Sequence, residues 1–384
     1  MKTSALCAAA LTAAAFACPA RAAAVTSGLQ LKISGRVGFL AGAVLTDSRE
    51  SGMDRDYDFA SGARLQFDVV DVTDSGLEYG GRLRFSNVDR RNDVVVDRSY
   101  IYVKGAFGTI TLGDSVIIAD DIGTVYAHQT LAPRFGLDTD WADGFRSPAT
   151  TFSGSDRLFA VAAYDTISGL NNKDTRIKYV SPTFGGLTFG IDFTPVVGGD
   201  GHAGTGSRAD LTNDSDTLHE NVVTAGANYT ADLDGVSVLV SGTASTGNGV
   251  SGHRDLAAYS LGTQVAAGDV TGSLNWVHYG SIADSGKAID TVAASLAWRF
   301  GDFEAGLGYA WTMGEKGNGL TGDEDTGDAG RSDLRDDHIA AVTLVYTLAP
   351  GLNTYAELSW ETAFFRQGPD FNNTVLVSGL VLGF

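Results

Sequence analysis

Residues 63–69 read ARLQFDV, and apolar and polar side chains alternate one by one along this stretch. Successive side chains of a β-strand point to opposite faces, so the stretch predicts a strand with one apolar and one charged face. The same alternation returns in 78–85, which read EYGGRLRF, and in 356–361, which read AELSWE. About sixteen segments, each of roughly 8–15 residues, carry this pattern. The sequence therefore predicts an all-β protein.

The connections between these segments alternate between short turns and long, acidic, glycine-rich loops. The short turns are 73–76, 185–186, 232–235, 267–269 and 301–302. The long loops are 47–56, 198–217, 314–336 and a very long stretch after Asp114. Short turns at one end and long loops at the other are typical of a transmembrane β-barrel. The predicted strands are 29–46, 57–71, 77–89, 94–104, 108–115, 175–183, 187–195, 219–230, 236–244, 255–266, 270–280, 289–300, 303–313, 336–347, 353–363 and 373–384.

Alternation alone does not distinguish a soluble β-sandwich from a membrane barrel. In a sandwich the apolar face packs on a second sheet, whereas in a barrel it meets lipid and the polar face lines an aqueous interior. Aromatic side chains near segment ends, strand lengths that suit a tilted crossing and the alternating loops favour the barrel. An open sheet would leave unpaired backbone groups in lipid, so the barrel must close. The apolar piece 157–164 is assigned to the long loop, because counting it would make the strand number odd.

Residues 1–24 are predicted to be a cleaved signal peptide. Lys2 supplies the positive start, 5–17 a short apolar stretch and the alanines around 22–24 a cleavage site. A lipoprotein with Cys18 as its lipidation site is the alternative, but the usual Leu three places upstream is missing. Both cysteines leave with the leader, so the predicted barrel, residues 25–384, contains no thiol.

Charge and motifs exclude several function classes. The formal net charge is −19 at pH 7, the opposite sign to that of a nucleic-acid binder, so we predict no nucleic-acid partner. After the leader no apolar run reaches the roughly 18 residues of a membrane-spanning helix. The six His have no zinc-ligand spacing, and neither a Gly-x-Ser-x-Gly elbow nor a phosphate-binding Gly-Lys-Thr element occurs. His278 and His338 are interpreted as ordinary strand residues.

Five pieces of the chain together carry a family resemblance. They are LKISGRVG at 31–38, DRSYIYV at 97–103, FGTITLG at 107–113, IKYVSPTFGGL at 177–187 and VLGF at 381–384. Together and in this order they resemble the general diffusion porins of Gram-negative outer membranes, particularly the sixteen-stranded porins of alphaproteobacteria. The resemblance covers the whole mature chain, and Phe384 matches the terminal Phe that the outer-membrane barrel assembly machinery reads.

The resemblance implies a sixteen-stranded antiparallel transmembrane β-barrel with a long third external loop that folds inward. In this chain the loop would be about 114–174. It further implies a homotrimer in the outer membrane, in contact with lipid and lipopolysaccharide. Each barrel would have its own pore, which passes small hydrophilic solutes passively.

Selectivity of such a channel comes from pore width and from the field across the constriction. On the loop side, the candidate residues for a negative wall are Asp120, Asp121, Asp138, Asp140 and Asp143. On the barrel side, alternation places on the polar face Arg36, Arg64, Arg82, Arg84 and Arg98. Opposed charges would orient dipolar solutes, although some of the aspartates could instead solvate a surface part of the loop. Exposing an arginine to lipid would cost about 2–4 kcal/mol, which favours the interior.

An acidic run lies in a predicted external loop. Its members are Asp323, Glu324, Asp325, Asp328, Asp333, Asp336 and Asp337. Calcium takes 6–8 oxygen ligands and could bind there, but the spacing matches no defined calcium loop, and a solvated loop is the simpler interpretation. No other cofactor is predicted.

Three hypotheses follow. The first is a trimeric porin for passive diffusion, weakly cation-preferring because of the acidic loops and the net charge. The second is a substrate-selective channel of the same architecture, with a binding site in the third loop. The third is a secreted all-β enzyme that uses a carboxylate pair, such as a glycoside hydrolase. The terminal Phe384, the aromatic bands and the loop alternation argue against the enzyme.

Overall fold

A computed structural model describes residues 28–46, 55–86, 94–131, 174–198, 217–250, 254–282, 287–318 and 332–384. Within these ranges sixteen strands form one closed antiparallel barrel, in which each strand pairs with its sequence neighbours and the last pairs with the first. This confirms the predicted fold class. The strands are β1 Gln30–Val44, β2 Tyr57–Val72, β3 Glu78–Ser86, β4 Val95–Gly105, β5 Gly108–Asp114, β6 Thr175–Val180, β7 Leu187–Gly198, β8 Thr217–Leu233, β9 Val236–Gly249, β10 Leu256–Ala267, β11 Val270–Ile282, β12 Lys287–Phe300, β13 Phe303–Gly314, β14 Ser332–Ala349, β15 Leu352–Gln367 and β16 Phe371–Gly383.

The helical content of the described residues is small. One helix, α1 (Ile118–Asp121), and one 3₁₀ turn (Ala127–Thr130) follow β5. No helix in these ranges combines the length and the apolar character needed to cross a membrane.

Several strands extend further than the alternation predicts. β8 is longer than the predicted 219–230 at both ends, and β14 begins four residues before the predicted 336–347. Paired strands can continue their hydrogen bonds beyond the membrane, where no lipid imposes an apolar face, so the pattern fades before the strand ends. Asp336 and Asp337 lie in β14, in agreement with the predicted strand 336–347, whereas the loop assignment of Asp333 was wrong, because β14 already includes it. The remaining acidic residues of that run, and 157–164, lie outside the described residues.

The short turns close tightly at one end of the barrel. Gly235 adopts φ 86° and Gly301 φ 60°, a left-handed conformation that glycine enters without steric cost. In the β8–β9 turn the Gly235 N–H also donates to Asp232 Oδ1 at 3.0 Å. These turns lie where the sequence predicts them.

Side chains alternate between the outside and the interior around the barrel. In β10, Leu261 is 58% exposed, whereas the preceding Ser260 is 1% exposed and shares a hydrogen bond with Thr243 of β9. Apolar residues thus cover the outer surface and polar residues gather inside. Near the short turns, aromatic rings cluster on the outside, with Trp298 and Phe300 at a centroid distance of 4.6 Å. Such a ring cluster is expected at the level of lipid head groups.

The barrel closes where β1 meets β16. Gly35 and Phe384 exchange two backbone hydrogen bonds, with the Gly35 N–H donating to Phe384 O at 2.9 Å and the Phe384 N–H donating to Gly35 O at 3.0 Å. The Phe384 ring lies over Gly35, so that a Cβ on Gly35 would stand 2.8 Å from ring atom Cζ. A glycine at this position therefore makes room for the terminal ring.

We expect Gly35→Val to weaken this seam. The valine would displace the Phe384 ring and crowd Arg64 O, which stands 2.6 Å from the Cβ position. Overpacking of this kind costs roughly 1–3 kcal/mol. The measurement is the temperature at which the folded barrel changes its mobility on an SDS gel. Gly272→Val is the control, because a Cβ there meets nothing closer than 3.7 Å. Equal transition temperatures for Gly35→Val and Gly272→Val would contradict the role of Gly35 in making room for the Phe384 ring.

Candidate functional site

Residues 115–131, which follow β5, lie along the interior face of the barrel. The segment contacts β7, β8, β11 and β12 through α1 and the 3₁₀ turn. Its apolar side chains are buried, with Ile118 0% and Val125 3% exposed. Their partners on the strands are residues of the inward face, so this part of the loop lies inside the barrel.

The beginning of the segment is held by charged groups of β6 and β7. The Lys178 ammonium donates to Val116 O at 2.9 Å and lies 2.7 Å from Asp121 Oδ2. The Ile118 N–H donates to Asp192 Oδ2 at 2.6 Å. Lys178 and Asp192 are 2% and 1% exposed, and Arg176 beside them is 2% exposed. Charges this deeply buried are tolerated when they are paired, and the contacts of Lys178 and Asp192 connect the start of the loop to β6 and β7.

Further along, polar side chains of successive strands bind the loop backbone. Asn228 of β8 donates to Ile122 O, and the Val125 N–H donates to Ser241 Oγ of β9 at 2.7 Å. A loop without strand partners still has to satisfy its buried backbone groups, and here the barrel wall supplies the partners.

The end of the segment is held by β10, β11 and β12. The Ala127 N–H donates to Asn275 Oδ1 at 2.7 Å, and Ser295 Oγ donates to Ala127 O at 2.6 Å. Thr130 bonds Ser273 of β11 and receives a bond of 3.2 Å from Gln264 of β10. Seven consecutive strands, β6 to β12, thus each contribute an anchor.

The five predicted arginines lie together on the interior face of β1–β4. Cross-strand register pairs Arg36 with Arg64 and Arg84 with Arg98. Arg82 Nε lies 2.6 Å from Asp68 Oδ1, and its guanidinium stands 5.8 Å from the centre of the Tyr100 ring. Outward neighbours such as Val37, Leu65, Leu83 and Ile101 are exposed, which gives the arginines the opposite orientation.

The predicted loop carboxylates are only partly within the described residues. Asp120 and Asp121 lie in α1, whereas Asp138, Asp140 and Asp143 fall outside. Asp121 is paired with Lys178, a residue that the sequence reasoning did not select, and it also lies within electrostatic range of Arg82. At least one loop carboxylate therefore lies near the arginine wall.

Sequence reasoning also missed the acidic residues of another wall. Asp337, Glu357 and Glu361 of β14 and β15 face the interior and are 0%, 2% and 5% exposed. The alternation in 356–361 already placed the two glutamates on the polar face, so this signal could have identified them. Asp192 likewise alternates with the outward residues Ile191 and Phe193. Nothing in the alternation shows which inward residues meet the loop, because that depends on the loop path.

The acidic residues at the start of β14 have partners in the protein. Asp333 Oδ1 accepts from the Gly317 N–H at 2.7 Å and from Arg366 Nη1 at 3.0 Å. Asp336 Oδ2 accepts from Arg335 Nε at 2.9 Å. Within the described ranges, no group of three or more His, Cys, Asp or Glu could hold a metal ion. The predicted strand residues His278 and His338 lie in β11 and β14.

We expect Asn275→Ala to loosen the loop, because it leaves the buried Ala127 N–H without its acceptor. A buried donor left unsatisfied costs about 1–3 kcal/mol. Hydrogen exchange of peptides that cover 117–131 should become faster. Asn353→Ala is the control, since it removes an exposed bond to Thr347 Oγ1 far from the loop. Unchanged hydrogen exchange of 117–131 in Asn275→Ala would argue against Asn275 as an anchor of the loop.

The comparison with known proteins agrees with this architecture. The family model described as Gram-negative porin matches residues 8–362. A search of the curated proteins finds no match.

Solved barrels with similar architecture have low sequence identity to this chain. The anion-selective porin from Comamonas acidovorans is 16% identical, with 93% of this chain and 100% of that chain covered and a TM-score of 0.59. OmpF of Salmonella typhi in complex with daunomycin is 14% identical, with 93% and 98% covered and a TM-score of 0.60. In-vitro folded OmpT, an outer membrane protein of Vibrio cholerae, is 14% identical, with 94% and 100% covered and a TM-score of 0.58.

At these identities the structural likeness shows the fold, and the family model carries the assignment over most of the chain. The chain belongs to the Gram-negative porin family and is an outer-membrane channel for passive diffusion.

Proposed function

We propose that this porin passes ions and small hydrophilic solutes without catalysing a reaction, and that the loop 114–174 forms its constriction. The observation that carries the proposal is the course of 115–131 inside the closed barrel, with anchors on β6 to β12. A segment fixed there reduces the free cross-section, and pore width is the first determinant of which solutes pass.

The charges around the loop would produce a transverse field. Arginines gather on β1–β4, while Asp121 lies on the loop and Glu357 and Glu361 face the interior from β15. Polar solutes can replace water contacts in such a field, whereas apolar solutes lose them without replacement. The predicted loop residues Asp138, Asp140 and Asp143 would add to the negative side. The formal net charge of −19 favours a weak preference for cations.

The remaining expectations from the family are part of the same proposal. We expect residues 1–24 to be removed on export and the barrel to assemble as a homotrimer in contact with lipopolysaccharide. Phe384 is the proposed recognition residue for the barrel assembly machinery, and its place at the β1–β16 seam supports this role.

Single-channel recording in a planar bilayer tests the channel. We expect large ohmic steps that close in threes, with little dependence on the solute, and a weakly cation-selective reversal potential in a salt gradient. Saturable conductance blocked by one solute would favour the substrate-selective channel. An anion-selective reversal potential would contradict the cation preference, and failure of the folded protein to insert would contradict the channel itself.

Arg84→Gln should increase the preference for cations. It removes a positive charge from the inner wall, where the field acts on every passing ion. Arg55→Gln is the matched control, because Arg55 is exposed outside the strands and pairs with Asp58 at 3.1 Å. Screening limits a surface charge to about 10 Å in 0.1 M salt, so the control should leave the reversal potential unchanged. Equal shifts in both variants would refute a role of the arginine wall.

A further inference from the structure

Four glycines of the inner wall lie directly under the loop. Gly190 of β7, Gly226 of β8, Gly262 of β10 and Gly306 of β13 all have outward-facing neighbours and therefore face the interior. All four have extended strand backbone without a positive φ, so the backbone conformation does not require glycine at any of them. Glycine within a strand destabilises it by about 0.5–1 kcal/mol, so another reason for these residues is needed.

At each glycine a loop residue stands in the space that a Cβ would need; at Gly262 the loop alone fills this space, and at the other three a wall atom lies close as well. A Cβ on Gly190 would stand 2.3 Å from Ile118 Cδ1, and one on Gly226 would stand 2.7 Å from Ile122 Cδ1. A Cβ on Gly262 would stand 2.5 Å from the Val125 carbonyl oxygen. These distances are far below an ordinary carbon contact of about 3.5–4.0 Å.

The fourth position repeats the arrangement at the end of the segment. A Cβ on Gly306 would stand 2.5 Å from Thr343 Oγ1 of β14 and 2.7 Å from Leu131 Cδ2 of the loop. Leu131 also belongs to a buried apolar cluster with Ala127, Ala293, Ala310 and Ile339. The loop is therefore in close contact with the wall at positions 118, 122, 125 and 131.

We infer that Gly190, Gly226, Gly262 and Gly306 form a row of seats that sets how far the third loop protrudes from the wall, and so determines the pore size. The inference rests on the proposed constriction role of the loop. The polar anchors fix the position of the loop along the wall, while the seats fix its distance from the wall. A methyl group in a seat would push the loop towards the channel axis by about 1 Å.

The seats differ in what a methyl group would meet, and this gives a graded test. Gly262 is the strictest, because its three nearest atoms all belong to Val125 and two of them are backbone atoms. At Gly190 the two nearest atoms are Ile118 side-chain atoms, Cδ1 at 2.3 Å and Cγ1 at 2.7 Å. Shortening Ile118 would therefore remove the loop contact of Gly190→Ala and leave only Tyr179 O of β6, 2.9 Å from the Cβ position. Shortening Val125 would leave the carbonyl clash of Gly262→Ala in place.

The experiment compares single-channel conductance and the largest sugar that crosses proteoliposomes for five variants. They are Gly262→Ala, Gly262→Ala with Val125→Ala, Gly190→Ala, Gly190→Ala with Ile118→Ala, and Gly272→Ala. Gly272 faces outward with its nearest atom 3.7 Å from the Cβ position, so it controls for the loss of a strand glycine.

We expect Gly262→Ala and Gly190→Ala to lower conductance and the sugar cut-off, by tens of per cent in conductance, because pore diameter governs both. Ile118→Ala should restore the Gly190→Ala channel, and Val125→Ala should not restore Gly262→Ala. The reversal potential should stay constant, since no charge changes. Gly272→Ala should behave as the wild type.

Other outcomes separate the two proposals. Wild-type conductance in both single variants, with or without a lower melting temperature, would overturn the seats while leaving the channel intact. A wild-type protein without conductance would instead contradict the proposed function. If Gly262→Ala does not fold, the Gly190 pair decides: failure of Ile118→Ala to restore a reduced conductance would also overturn the seats.

Discussion

A strand in a hydrocarbon layer cannot leave its backbone N–H and C=O groups unpaired, and the rest of this structure depends on that constraint. All sixteen strands have two neighbours, and the seam between β1 and β16 removes the last two edges. Residues that lie opposite each other on paired strands point to the same face of the sheet. In a closed barrel this rule fixes which side chains face inward on every strand. Arg36 and Arg64 face the same interior for the same reason that Leu65 and Leu83 face lipid.

The interior then provides what the third loop needs. Residues 115–131 have no strand partners of their own, and inward side chains such as Asp192, Ser241 and Asn275 satisfy their backbone groups. Polar anchoring and close apolar packing act together along the same path. Hydrogen bonds alone are directional but tolerate small shifts, whereas the contact of Val125 with Gly262 leaves almost no room for movement. A barrel strand loses stability by carrying glycine, and the fixed position of the loop is a sufficient reason for it.

The functional differences within such a fold arise on the inner wall. The similar solved barrels have 14–16% sequence identity to this chain. The architecture is therefore the same, although most side chains differ between the proteins. Here the wall of β1–β4 is rich in arginine, and β14 and β15 carry buried carboxylates. One of the similar barrels is an anion-selective porin, and the strongly acidic composition of the present chain gives reason to expect the opposite sign.

The sequence by itself determined the strand number, the orientation of the five arginines and the position of the long loop. Those features follow from local rules: side chains alternate with period two, and chain reversals need glycine or polar residues. It did not determine that β14 begins at Ser332, because alternation fades where no lipid imposes it. Nor did it identify Lys178, Asp192 or Gly262 as partners of the loop. These residues lie tens of positions from 115–131 in sequence, and only closure of the barrel brings their strands under the loop. Which inward residue becomes an anchor or a seat is therefore decided by the tertiary path of the chain.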